Sequence, residues 1–110
     1  MLTDARARAY RYDSVTDTAT LAVRDPDPGA RTATATAMLL LDGAGHLVGV
    51  DLGGEGPGRV VVLLGRHEDV ASTRSARVTV TRCHGGAIAR VVVADAKHAY
   101  RAADPNPYVA

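Results

Sequence analysis

Apolar and polar residues alternate with a period of two along most of this chain. That is the pattern of β-strands, whose successive side chains point to opposite faces. It is clearest from Arg31 to Leu41, where Thr32, Thr34 and Thr36 alternate with Ala33, Ala35 and Ala37 before the run turns wholly apolar at Met38. A strand solvated on one face at its start and covered on both at its end reads this way. Asp42-Gly-Ala-Gly45 predicts a turn, and His46 to Leu52 the return arm of a hairpin.

The same alternation predicts strands over Arg6–Tyr12, Ala19–Arg24, Arg59–Leu64, Arg77–Arg82 and Ala87–Ala94. In the first, Arg6, Arg8, Tyr10 and Tyr12 share one face and Ala5, Ala7 and Ala9 the other. A short helix capped by Thr3 is the alternative for residues 3–12, less favoured because the segment runs into Tyr10-Arg-Tyr12. Asp25-Pro-Asp-Pro-Gly29 breaks the ladder, since proline cannot donate and glycine admits positive φ. Gly53 to Gly58 reads as a glycine-rich loop, and Gly65 to Ser75 as a polar stretch in which Asp69 or Ser72 can cap a helical turn. Cys83-His-Gly-Gly86 suits a tight hairpin turn. Asp95 can cap a helix through Ala103, stopped by Asp104-Pro105, and residues 104–110 read as an extended or flexible tail. The expectation is one mainly β domain over residues 1–110: about seven short, mostly antiparallel strands forming a small barrel, roll or sandwich, with a short C-terminal helix. Closure of that kind removes exposed edges.

Composition makes the core thin. The 110 residues include 20 Ala, 14 Val, 9 Leu and 1 Ile, with no Phe or Trp. Burial then rests on Val and Leu, each worth roughly 1.5–3 kcal/mol when fully buried. Burying more surface between subunits compensates a small core, so a homo-oligomer is expected, most simply a two-fold dimer. The uncharged Thr32/Thr34/Thr36 row is the candidate contact, because such a face exposed on an edge invites pairing with another chain.

Charge narrows the partners. Thirteen basic and twelve acidic residues give a net charge of +1, which speaks against a dedicated nucleic-acid binder. Twelve of the thirteen basic residues are Arg, a bias that a GC-rich genome produces by itself. No segment reaches the roughly 18 apolar residues of a membrane span, and the N-terminus lacks the apolar stretch of a signal peptide. With one cysteine, Cys83, no intrachain disulfide forms. The expected compartment is a bacterial-type cytoplasm.

Tyr12-Asp13-Ser-Val-Thr-Asp17, followed by Asp42-Gly-Ala-Gly45-His-Leu-Val-Gly49-Val-Asp51, resembles a family of very small bacterial proteins of unknown function. Its pattern is a Tyr-Asp, an Asp four residues on, an alternating strand, then Asp-x-x-Gly-x-Leu-Val-Gly-Ile-Glu. The resemblance covers residues 10–52 and implies a β-meander start and no activity. The same residues have a structural reading: Asp42 bonds backbone amides in a turn, Gly45 takes a left-handed conformation, and Gly49 permits close packing or a bulge.

Candidate chemistry is sparse. His67, Cys83 and His84 are the residues a zinc-like ion or small ligand would use, but Cys83 and His84 are adjacent, which is not a ligand spacing, and no metal or cofactor is expected. A Cys-His nucleophile needs an orienting third group, and nothing in the spacing selects one. Phosphate-loop, dinucleotide and serine-hydrolase motifs are absent from the sequence. Arg6, Arg8, Tyr10 and Tyr12 would make a basic-aromatic stripe able to stack bases or contact protein, and near-zero net charge favours protein. The expected function is a small non-enzymatic interaction or assembly module that homo-oligomerises. A ligand- or metal-binding β-domain and a weak nucleic-acid binder are the alternatives.

Overall fold

The computed structural model describes residues 3–53, 60–103 and 105–109. These residues form eight strands: β1 (Thr3–Arg6), β2 (Ala9–Asp13), β3 (Thr18–Ala22), β4 (Arg31–Leu41), β5 (Leu47–Asp51), β6 (Val60–Leu63), β7 (Ser72–Arg82) and β8 (Ile88–Val93). They make one sheet in the order β1-β6-β5-β4-β7-β8-β3-β2, curled into an open half-barrel. Among the described strands, β1 and β6 pair in parallel and the rest antiparallel.

The extra strand arises from a bend at the N-terminus. Ala7 donates its N–H to the Leu63 carbonyl of β6, and Arg8 donates to the Ala22 carbonyl of β3. One nearly continuous segment thus supplies both edge strands and ties the two ends of the half-barrel at one corner. β7 and β8 lie between β3 and β4, so residues 10–52 form two hairpins rather than one meander. The prolines at 26 and 28 preclude the tight hairpin that would make β3 and β4 neighbours.

Alternation sends Ala19, Leu21, Leu39, Leu41, Val50, Val62, Val78, Val80, Val91 and Val93 into the main core, closed by Ala96, Tyr100 and Ala102 from the C-terminal segment. A second cluster of Leu40, Val48, Val61 and Leu63 lies on the convex face under Val70 and Tyr108. β5 is therefore covered on both faces, which its nearly unbroken apolar sequence requires. Its pairing with β4 shifts register between Leu40 and Leu41, leaving Val48 as the extra residue of a bulge. Gly49 beside it is sterically obligatory, since a Cβ there would sit 2.6 Å from the Val62 carbonyl oxygen.

Several expectations are corrected. Between Gly65 and Ser75 there is only a single 3-10 turn over His67–Asp69, and β7 begins at Ser72, paired with Leu41. That stretch is polar on both faces, so periodicity does not reveal it, yet β4 supplies a full ladder. The C-terminal helix, α1, is one turn, Ala96–Ala99. Asp95 does not cap it by its side chain, sitting at φ 50°. The Asp17 carboxylate does so instead, accepting the Lys97 N–H at 3.0 Å. The tail is docked: the Asn106 amide donates to the Leu47 carbonyl and the Tyr108 hydroxyl to Asp42. Of the predicted glycine-rich loop, only Gly53 falls within the described residues.

Candidate interaction surface

The first part of β4 is bonded on one side only. In a strand the N–H and C=O of one residue point the same way and the next residue's point oppositely. The Leu41 carbonyl accepts from Ala71 on the β7 side, and β4 pairs with β7 without irregularity from Arg31 to Leu41. Ala33, Ala35 and Ala37 therefore bond β7, and Thr32, Thr34 and Thr36 direct their backbone groups the other way. β5 occupies that other side only opposite Met38 to Leu41. β5 ends at Asp51; Leu52 still bonds Val60 on the β6 side, and Gly53 takes φ 70°. Among the described residues, nothing pairs with the outward backbone groups of Thr32, Thr34 and Thr36.

Residues 31–36 are exposed on both faces, more fully than the expected one-sided solvation, because Ala33 and Ala35 lie beyond the reach of the core. Thr side chains continue onto the next strand: the Thr32 and Thr81 hydroxyls are 3.0 Å apart. At the inner end of the arm, Met38 is 42% exposed beside an open cavity of about 300 Å³ lined by Thr36, Ala37, Met38, Asp51, Gly53 and Ser75. The other two edge strands differ. β1 has four residues including Asp4 and Arg6, and β2 has five including Arg11 and Asp13. Short, charged edges resist pairing; the Thr/Ala arm has neither protection.

The N-terminal stripe is divided by the bend at Ala7–Arg8. Arg6 folds back to donate to the carbonyls of Leu64 and Gly65, both at 2.8 Å, and Arg8 pairs with Asp25 at 2.7 Å. Tyr10 and Tyr12 turn inward beside β3. The Tyr10 and Tyr100 hydroxyls are bonded at 2.7 Å, and burial raises the pKa of both. The Tyr12 hydroxyl donates to Asp17 at 2.7 Å. That bond pushes the Tyr12 phenol up to about 12 and, with the Lys97 N–H, holds Asp17 below its ordinary value. These groups stabilise the fold and do not form one contact stripe.

His67 and the Cys83–His84 pair are also held by separate partners. The His67 ring lies 3.0 Å from the Asp4 carboxylate. Cys83 and His84 occupy the β7–β8 turn, where the His84 N–H donates to the Asp27 carboxylate at 3.1 Å and the Cys83 thiol lies 3.9 Å from the Asp25 carbonyl. No cluster of three or more His, Cys, Asp or Glu side chains suited to a metal occurs among the described residues.

Sequence reasoning missed Asp17 and Tyr108 as anchors. Asp17 carries a faint signal: a non-glycine at positive φ (53°) fits an Asp in a turn. Asp42, expected in a turn, also anchors the tail. Its Oδ1 accepts the N–H groups of Ala44 and His46, and its Oδ2 the Tyr108 hydroxyl at 2.7 Å. Burial acts to raise its pKa, but these bonds outweigh it and the net shift is downward. The same bond pushes Tyr108 up to about 12.

Fold and surface together define an all-β, single-sheet protein with a long, uncharged strand edge that no described residue pairs. No family model, curated protein or solved structure matches the chain, and no helix among the described residues is long and apolar enough to cross a membrane.

Proposed function

We propose that this chain is a non-enzymatic assembly module that homo-oligomerises by strand addition at β4. The observation that carries the reading is the edge of Thr32, Thr34 and Thr36, whose backbone donors and acceptors have no partner among the described residues. An edge without charge, proline or bulge is a template for another strand. The residues of the rival readings are engaged elsewhere, Arg8 with Asp25 and His67 with Asp4. The single cysteine suits a reducing cytoplasm. Light scattering after size exclusion tests the reading. The wild type should elute as a multiple of 11.4 kDa, and Thr34→Pro as a monomer. Proline there removes no internal bond, since the Thr34 N–H faces the open side. A wild type that stays at 11.4 kDa across micromolar concentrations contradicts it.

A further inference from the structure

We infer that the occupant of the β4 edge is the same edge of a second copy, run antiparallel about a two-fold axis at Thr34. The inference rests on the assembly reading above and adds the partner, the symmetry and the register.

The arm reads Thr-Ala-Thr-Ala-Thr from Thr32 to Thr36, the same sequence in both directions. Two such arms placed antiparallel match residue for residue, which is what an isologous contact demands. In an antiparallel ladder, residues that exchange both bonds must point at each other. Thr32, Thr34 and Thr36 all point outward, so an axis at Thr34 brings Thr34 against the partner's Thr34 and Thr32 against the partner's Thr36. Every orphan donor and acceptor of the arm is then satisfied. Cross-strand Thr–Thr pairs are favourable, and they fall on the convex face. Ala33 meets the partner's Ala35 on the concave face, where small side chains let the two half-barrels join as one sheet. The added ladder spans Thr32 to Thr36 and ends there, since the Met38–Asp51 register puts Leu52 beside Ala37, and no charged residues lie within it.

Neighbouring registers are worse. An axis at Thr36 would set the partner's Thr34 against Met38, a place Asp51 already holds. An axis at Thr32 would leave Thr36 unpaired. The contact also ends at two, because among its described residues each copy has one such arm, and the edges at β1 and β2 are short and charged.

Single-cysteine cross-linking in a Cys83→Ser background tests this. Opposed residues of a hydrogen-bonded pair lie about 5.5 Å apart at Cα, within disulfide range. Mild oxidation should link Thr34→Cys quantitatively to a covalent dimer. Thr36→Cys alone should not link, and an equimolar mixture of Thr32→Cys and Thr36→Cys should. A wild-type dimer in which Thr34→Cys fails to link, or links no better than Thr36→Cys, overturns the register and leaves strand addition standing. A wild type that is monomeric overturns both.

Discussion

The Tyr108 hydroxyl donates to the Asp42 carboxylate at 2.7 Å, joining residues 66 apart in sequence. The bond pins the tail across the turn of the β4–β5 hairpin, and the Tyr108 ring lies so close to Gly65 that a Cβ there would be 2.8 Å from it. Tyr108 thereby also covers the convex cluster. Removing the hydroxyl in Tyr108→Phe should lower unfolding stability by about 1 kcal/mol, since a hydrogen bond to a charged group contributes roughly 1.5–3 kcal/mol and partial exposure lessens it. Denaturant melts at pH 7 measure it.

The same carboxylate sets an acid dependence. Asp42 has a folded pKa below its ordinary value of 3.8, so the folded state holds its proton less tightly than the unfolded chain does. Its contribution is complete above the unfolded pKa and disappears as pH falls through the folded one. Wild-type stability should therefore fall below about pH 4, and Asp42→Asn should lose stability at pH 7 and show a shallower acid decline. Urea melts between pH 2 and 7 decide this; parallel declines would contradict the assignment.

Glycines 43 and 49 predict opposite outcomes for one substitution. Gly49→Ala presses a methyl to 2.6 Å from the Val62 carbonyl, while around Gly43 nothing lies within 4 Å. Overpacking against backbone costs typically 1–3 kcal/mol, and exposed sites usually stay within about 0.5 kcal/mol. Thermal melts of Gly49→Ala and Gly43→Ala should separate them by several degrees.

Asp17 links Tyr12 on β2 to the first turn of α1. In Asp17→Asn the Tyr12 phenol should move from about 12 toward the ordinary 10.0. Ultraviolet titration in a Tyr108→Phe background, which removes the other phenol pushed up to about 12, reads this, and an unmoved phase near 12 would rule out the Asp17 bond as its cause.

Legibility in the sequence followed the range of the forces involved. β4 was read with its boundaries because alternating Thr and Ala followed by Met38–Leu41 is a purely local signal. Ala19 and Leu21, and the turn ending at Gly86 (φ 92°), were legible for the same reason. The bend at Ala7–Arg8 was not, because it comes from two different strands each capturing one residue. Tyr10 and Tyr12 face inward on account of Tyr100 and Asp17, and no window of sequence contains both members of the first pair. The length of α1 and the docking of the tail likewise depend on groups far along the chain, Asp17 and Asp42. For the surface, the Thr row was legible as uncharged and alternating, but its open edge was not: that depends on β5 ending at Asp51 while β4 runs on to Arg31.

Amide hydrogen exchange resolved to single residues tests the central claim most directly. The N–H groups of Ala33 and Ala35 bond β7 within one chain and should be protected at every protein concentration. Those of Thr32, Thr34 and Thr36 should exchange rapidly in dilute protein and slow at least tenfold as concentration rises and the edge is covered. If the three threonine amides exchange equally fast at all concentrations, the β4 edge is not where this protein meets its partner.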